Sequence, residues 1–289
     1  MAILKRFQLP PIPAILLAIL SVQGGAAIAK YLFPFIGPAG TASVRSGFSA
    51  IILLLLFRPR LSGLTRDQWK AVIPYGLSLG AMNLVFYYAL ERIPLGLAVT
   101  LEFVGPLLLA VSGSRRILDL LWVLLAGAGI ALIAPWKGST AIDPLGMFLA
   151  LLAGGFWALY IVMGGRASRM LPGGEGVATG MIFATLITLP FGFLTGGLTQ
   201  LTGSMLVPAI SLAILSSALP FTLELTALRH LSARTFSILM SLEPAVATLC
   251  GMLFLREHLS LVQWLAVALV VIASGGATLS AKRARPAES

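Results

Sequence analysis

Charge is the scarcest ingredient of this 289-residue chain: 10% of its residues are Asp, Glu, Lys or Arg, against 58% that are hydrophobic. A soluble domain carries about 25% charged residues, so this chain cannot cover a globular surface with them. That excludes an ordinary soluble enzyme, a disordered chain and a coiled coil. Acid is scarcer than base, with ten Asp and Glu against twenty Lys and Arg and a net charge of +10. A basic balance of this size points to nucleic acid only where a folded domain can carry a basic face, and no stretch here is polar enough to form one. Cysteine is almost absent. Cys250 stands alone, which excludes an intramolecular disulfide and a multi-Cys metal site. The two histidines, His230 and His258, fall at the ends of apolar segments, and no metal-ligand spacing or G-x-x-x-x-G-K-[ST] phosphate loop occurs. No cofactor or metal is therefore expected. Gly76-Leu77-Ser78-Leu79-Gly80 fits the G-x-S-x-G pattern, but that motif needs a strand–turn–helix setting, and here it lies in an apolar helical segment.

What the chain has in quantity is apolar segments. A helical span needs about 20 mostly apolar residues, and ten such segments lie at 13–33, 39–57, 71–90, 95–112, 119–135, 144–164, 176–195, 206–227, 233–254 and 261–280. The first resembles a signal peptide, with Lys5 and Arg6 before it and Ala26-Ala27-Ile28-Ala29 near its end. With nine further spans and no exported domain behind it, it is expected to stay as an uncleaved helix. Cytoplasmic loops are enriched in Lys and Arg. An N-terminus inside places Lys5, Arg6, Arg58, Arg60, Arg66, Lys70, Arg115, Arg116, Arg166, Arg169, Arg229, Arg234, Lys282, Arg283 and Arg285 on the cytoplasmic side. Only Arg92, Lys137 and Arg256 fall on the outer side, and Lys30 and Arg45 fall within spans. Both termini are thus expected in the cytoplasm, and the basic clusters also suit anionic lipid headgroups.

A weak internal echo appears at a separation of 138 residues. Leu77-Ser78 falls on Leu215-Ser216, Ala89-Leu90 on Ala227-Leu228, Leu101 on Leu239, Pro106 on Pro244 and Gly113 on Gly251. It divides the chain into two five-span halves, 13–135 and 144–280. Five is odd, so the second half enters from the opposite side, the inverted-topology repeat that secondary transporters use for alternating access.

Several stretches resemble a known family. Ser21-Val22-Gln23-Gly24-Gly25-Ala26, Ala29-Lys30, Pro94-Leu95-Gly96, Leu101-Glu102-Phe103-Val104-Gly105-Pro106 and Ser114-Arg115-Arg116 carry the likeness in the first half. Leu215-Ser216-Ser217-Ala218-Leu219-Pro220, Leu223-Glu224, Arg234-Thr235-Phe236 and Met240-Ser241-Leu242-Glu243-Pro244-Ala245 continue it. The chain resembles the bacterial threonine/homoserine exporters of the drug/metabolite transporter superfamily, which have two EamA-type domains. The likeness runs from the first span to the last and departs mainly in the loops and terminal tails. The Glu-Pro of the ninth span is shared widely in that superfamily; the Gln-Gly-Gly, Leu-Glu-Phe and Arg-Thr-Phe stretches are more specific. The resemblance implies an all-α membrane protein of ten transmembrane helices in two inverted repeats, exporting small amino acids across the bacterial inner membrane.

An ionisable group near the bilayer centre costs about 2.5–3.5 kcal/mol or more, so it faces a cavity or a partner. Glu102, Glu224 and Glu243 lie well inside spans, with Lys30 and Arg45 as the intramembrane cations. A zwitterionic substrate needs acceptors for its ammonium and donors for its carboxylate. The three glutamates supply the first, and Lys30 or Arg45 the second. The alternative is structural pairing, such as Glu102 with Arg45, or snorkelling of the two cations to an interface. Helical spacing adds neutral polar groups. Gln23 shares a face with Lys30 seven residues on, Asn83 with Tyr87, and Trp157 with Tyr160; each pair could instead serve helix packing or the aromatic belt. A buried carboxyl that takes up a proton in one state and releases it in another makes Glu102 or Glu243 the expected coupling group. Pro106 and Pro244 are expected as repeat-related gating kinks. Gly76 with Gly80, Gly176 with Gly180 and Gly192 with Gly196 are expected as small-residue packing faces. Export of another metabolite on the same fold, a passive channel and an intramembrane enzyme are the rival readings; oligomeric state is left open.

Overall fold

The structure, a computed structural model, describes residues 10–112, 117–133, 143–171, 174–228 and 239–281. Expectations resting on Lys5, Arg6, Gly113, Ser114, Arg115, Arg116, Lys137, Arg229, His230, Arg234, Thr235, Phe236, Lys282, Arg283 and Arg285 lie outside the described residues.

Helix α1, Pro11–Phe57, is 47 residues long. A straight helix of that length reaches ~70 Å, more than twice the ~30 Å hydrocarbon core. It breaks instead at Gly37, between Pro34 and Pro38, where φ is 65° and ψ 171°. A side chain would strain that backbone, and glycine does not. Both arms return to one place. Ser21 Oγ donates to the Leu215 carbonyl at 2.7 Å, and Ser49 Oγ donates to the Ala213 carbonyl at 3.3 Å. On one rod those serines would stand ~42 Å apart, yet their acceptors are two residues apart. The break falls between the expected spans 13–33 and 39–57.

The other α-helices among the described residues are α2 (Arg66–Arg92), α3 (Leu95–Glu102), α4 (Val104–Ser112), α5 (Ile117–Ile133), α6 (Pro144–Met170), α7 (Glu175–Leu194), α8 (Leu206–Ala213), α9 (Leu219–Leu228), α10 (Glu243–Leu255) and α11 (Leu261–Ala281). One π-helical turn, Ile214–Ala218, joins α8 to α9. All regular structure among the described residues is helical. Local chemistry sets several starts. Thr65 and Gln68 form a reciprocal capping box at α2, and Asp143 Oδ1 accepts the Leu145 and Gly146 amides at α6.

Six described helical segments are long and apolar enough to cross a membrane, and three shorter apolar ones accompany them. Leu55, Leu194, Val207, Leu253 and Leu261 lie exposed on the outside, the arrangement of a protein whose solvent is lipid. The interior mixes large apolar side chains with many small residues at the helix contacts. Without a hydrophobic drive between helices in lipid, close backbone approach and interhelical hydrogen bonds hold the bundle, each bond contributing roughly 0.6 kcal/mol and rarely above ~1.7. Gly76 and Gly80 of α2 pack directly on Gly180 and Ala184 of α7. Gly105 of α4 meets Gly154 of α6, whose neighbour in turn is the Glu102 carbonyl. The other expected glycine faces divide. Gly192 lies against Ser43, Gly176 makes only ordinary contact distances, and Gly196 has φ 72° and serves a turn after α7. Ser78 Oγ donates to the Pro74 and Tyr75 carbonyls of its own helix, at 2.7 and 3.0 Å, so its hydroxyl is engaged inside α2.

The broadest packing joins early helices to late ones: α2 with α6 and α7, α1 with α7, α8 and α9, α3 with α10, and α5 with α11. A cavity can therefore be lined from both ends of the chain at once.

Candidate functional site

The π turn begins the site. Pro220 has no amide proton, so it cannot donate to the carbonyls of Leu215 or Ser216, one turn back. Side chains from α1 take both. Ser21 bonds the Leu215 carbonyl, and Arg45 Nη2 donates to the Ser216 carbonyl at 3.1 Å. The Ser216 side chain packs on Gly25, where a Cβ would collide. A proline, two serines, a glycine and an arginine thus pin both arms of α1 to one turn and fix where the guanidinium points.

Arg45 then faces a cavity of about 140 Å³. Nη1 donates to the Tyr87 hydroxyl at 3.3 Å, and the guanidinium lies 5.5 Å from the Tyr87 ring centroid. Its Nε has no partner among the described residues. Gln23 Nε2 donates to Glu243 Oε1 at 3.0 Å, while Gln23 Oε1 and Glu243 Oε2 are buried without partners. Glu243 opens α10, where free backbone N–H groups favour an anion. Glu102, the last residue of α3, is 7% exposed, as is Glu243. Glu224 comes from α9. Among the described lining residues, three carboxylates against one guanidinium leave two negative charges in excess if all are ionised. Among the described residues none of the three makes an ion pair with Arg45. Aromatic rings form the rest of the wall. Trp157 stands edge-on to Phe103 with centroids 4.8 Å apart, and Tyr160 stacks on Tyr75 at 5.1 Å.

Of the residues singled out from sequence, Gln23, Arg45, Asn83, Tyr87, Glu102, Trp157, Tyr160, Glu224 and Glu243 line this one cavity. Lys30 does not. It lies beyond it, 2.6 Å from Glu257 and 3.3 Å from the Ile93 carbonyl. Pro106 and Pro244 each sit in the first turn after a helix break, at Phe103 and at Ser241-Leu242. Sequence reasoning missed Ser216, Met82, Phe86, Phe221 and Met240 as lining residues. Ser216-Ser217 inside an apolar span was an available signal. The methionines and phenylalanines gave none, since core and cavity walls use the same residues. No group of three or more His, Cys, Asp or Glu among the described residues is placed to hold a metal ion.

Comparison with known proteins matches residues 144–279 to the EamA-like transporter family. Over 274 residues the chain is 42% identical to the threonine/homoserine exporter RhtA of Escherichia coli K12, covering 94% of this chain and 92% of that one. The RhtA of Salmonella typhimurium LT2 matches with the same identity and coverage. An uncharacterized transporter of Bacillus subtilis, YxxF, is 25% identical over 199 residues, 65% of this chain and 63% of its own. A solved crystal structure shares the fold at a TM-score of 0.63 and 19% identity, covering 95% of this chain and 99% of the other. The chain belongs to the EamA-like transporter family and is a homologue of the RhtA exporters.

Proposed function

We propose that this protein is a secondary transporter that exports small amino acids of the threonine and homoserine class across the bacterial inner membrane. The observation that carries the reading is the cavity: one guanidinium opposite three carboxylates, in a chain 42% identical to exporters named for those substrates. Arg45 takes the substrate carboxylate, for which its Nε is free. Glu243, through the oxygen that Gln23 leaves open, and Glu102 take the ammonium; Glu224, Asn83 and Tyr87 complete the polar lining, and Trp157 and Tyr160 bound the side chain. Lys30 has no place in this scheme. At about 140 Å³ the cavity is well below the ~300–1,000 Å³ of drug-sized sites, which favours a small amino acid over an aromatic one or a drug.

The transport cycle is alternating access between two five-helix inverted repeats, 13–135 and 144–280, ten spans in all, with both termini cytoplasmic. Two features support the repeat beyond the sequence echo. The helix breaks at Phe103 and Ser241 are 138 residues apart, like the prolines that follow each by three. Pro106 withdraws the donor for the Glu102 carbonyl and Pro244 that for Met240, and both of those residues line the cavity. Paired breaks flanking the site are where gating motion is cheapest. The excess of carboxylates supports proton coupling through Glu102 or Glu243, since an empty cavity needs cations to balance it.

Counterflow in proteoliposomes tests the substrate. Labelled threonine should exchange against internal threonine or homoserine and not against phenylalanine. Uptake that ignores the internal amino acid, or that prefers phenylalanine, would overturn the assignment.

A further inference from the structure

Lys30 lies on α1 seven residues past Gln23, two helical turns or ~10 Å along the same face. Its Nζ donates to Glu257 Oε1 at 2.6 Å and to the Ile93 carbonyl at 3.3 Å. The other Glu257 oxygen accepts the Leu95 amide at 2.9 Å, at the start of α3. The Glu257 amide donates to the Gly251 carbonyl at 3.1 Å, and its carboxylate lies where a Gly251 Cβ would be. The α10–α11 connection is thereby folded back onto α10. The pair is shielded, with side chains 21% and 11% exposed.

Each segment tied at this node leads to a polar group of the cavity. Leu95 starts the helix that ends at Glu102, and α10 starts at Glu243 and runs toward Glu257. Gln23–Glu243 and Lys30–Glu257 are therefore two rungs across the same two segments, α1 and α10 with the connection that follows it. Separating those segments must break both. The inner rung uses Glu243, whose other oxygen the proposed substrate ammonium contacts, so the Lys30 rung is the tie between these segments that the substrate does not touch. An ion pair near the end of the bundle suits a reversible tie. Once parted, both charges can reach water there, which a carboxylate at mid-span cannot.

We propose that Lys30, Glu257 and the Leu95 amide form a latch that holds the cavity shut at this end and parts each time the cavity opens there. The latch rests on the proposed transport reading only for its timing. The proposed topology makes this end external.

A substrate-free readout tests it. In a Cys250→Ala background, Ala26→Cys places a thiol in the cavity wall, and a membrane-impermeant maleimide added to right-side-out vesicles reports access. Glu257→Gln and Lys30→Met should label about tenfold faster than the parent, the shift expected when one tie is lost from a two-state equilibrium. Lys30→Glu with Glu257→Lys should return labelling toward the parent rate. Equal labelling in parent and single variants overturns the latch. Should the single variants fail to insert, Lys30→Cys with Glu257→Cys decides. Bridging the two thiols with a reducible bifunctional reagent should stop exchange until reductant is added, and undiminished exchange while bridged overturns the proposal. Faster labelling only from the opposite side overturns the topology and leaves the latch standing. Faster labelling without threonine exchange overturns the substrate assignment alone.

Discussion

The charges of this protein fall into two groups, connected in opposite ways. Near the α2–α3 junction two acids each hold a cation: Glu257 pairs with Lys30, and Asp143 with Arg92 at 2.9 Å. Two helical turns deeper, Glu102, Glu224 and Glu243 share a cavity with Arg45, and no ion pair joins them among the described residues. Structural charges are satisfied within the protein. In the proposed site charge is left for a ligand to satisfy: Arg45 Nε and Glu243 Oε2 have no partner among the described residues. A buried polar atom without a partner lowers stability by about 1–3 kcal/mol, so its persistence at a cavity wall is best explained by what the cavity takes in.

The largest effect should come from removing Arg45, the one cation among the described residues that line the cavity. Arg45→Ala deletes the proposed carboxylate site, and truncating one member of a desolvated charge pair costs about 2–5 kcal/mol. Threonine exchange should fall roughly a hundredfold or more. Arg45→Lys keeps the charge but not the planar fork that reaches Tyr87, the Ser216 carbonyl and a ligand together, so it should recover little. Exchange near the parent rate in Arg45→Ala would remove the guanidinium from the site. The next effect separates binding from coupling. Glu102→Gln and Glu243→Gln keep shape and lose the proton-binding carboxyl. If one of them is the coupling group, its variant should lose export driven by an imposed pH gradient by a much larger factor than it loses threonine counterflow, which falls only as far as the ammonium site is weakened. A variant driven by the gradient as well as the parent is not that group.

The two groups of charge were unequally legible in the sequence. The cavity residues were legible because a carboxylate inside an apolar run has few places to go, and Glu102, Glu224 and Glu243 stand out against a background nearly free of acid. The same rule misdirected Lys30, which follows Gln23 on one face and was grouped with it. Helical spacing gives the face but not the depth, and the partner that decides its place, Glu257, is 227 residues away. The Gly37 break was likewise visible as a polar-poor gap between two spans, whereas the π turn at Ile214–Ala218 was not. A π turn depends on where Pro220 leaves carbonyls and on which side chains of a distant helix arrive to take them.

The difference between the two groups also rests on backbone position, which matched glycine substitutions can resolve. Gly154 faces the Glu102 carbonyl and Gly105, whereas a Cβ on the adjacent Gly155 meets nothing within 4 Å. Gly154→Ala should force α6 from the α3–α4 break, costing about 1–3 kcal/mol as overpacking does, and should raise the KM for threonine as Glu102 shifts. Gly155→Ala should leave both unchanged or stabilise slightly, since alanine is the better helix former by up to ~1 kcal/mol. Equal behaviour of the two variants, read by thermal unfolding in detergent and by counterflow, would show that the close contact does not set the site.

The smallest effect belongs to the more exposed of the two pairs at the α2–α3 junction. Arg92 donates to Asp143 Oδ2 and holds that carboxyl below its usual range, while Oδ1 caps α6. A carboxyl titrating lower when folded adds stability that is fully present above the ordinary Asp range and fades as the pH falls through the lowered value. Arg92→Ala should therefore lower the Tm slightly at neutral pH, and the gap to the parent should close on acidification and narrow in high salt. Asp143→Asn keeps an oxygen for the cap and should lose only the part that salt removes, whereas Asp143→Ala should lose both parts. Threonine exchange should be unchanged in all three. A loss of exchange in Arg92→Ala comparable to that in Arg45→Ala would mean that the paired charges of the rim belong to the transport site, and the division between satisfied and unsatisfied charge would fall.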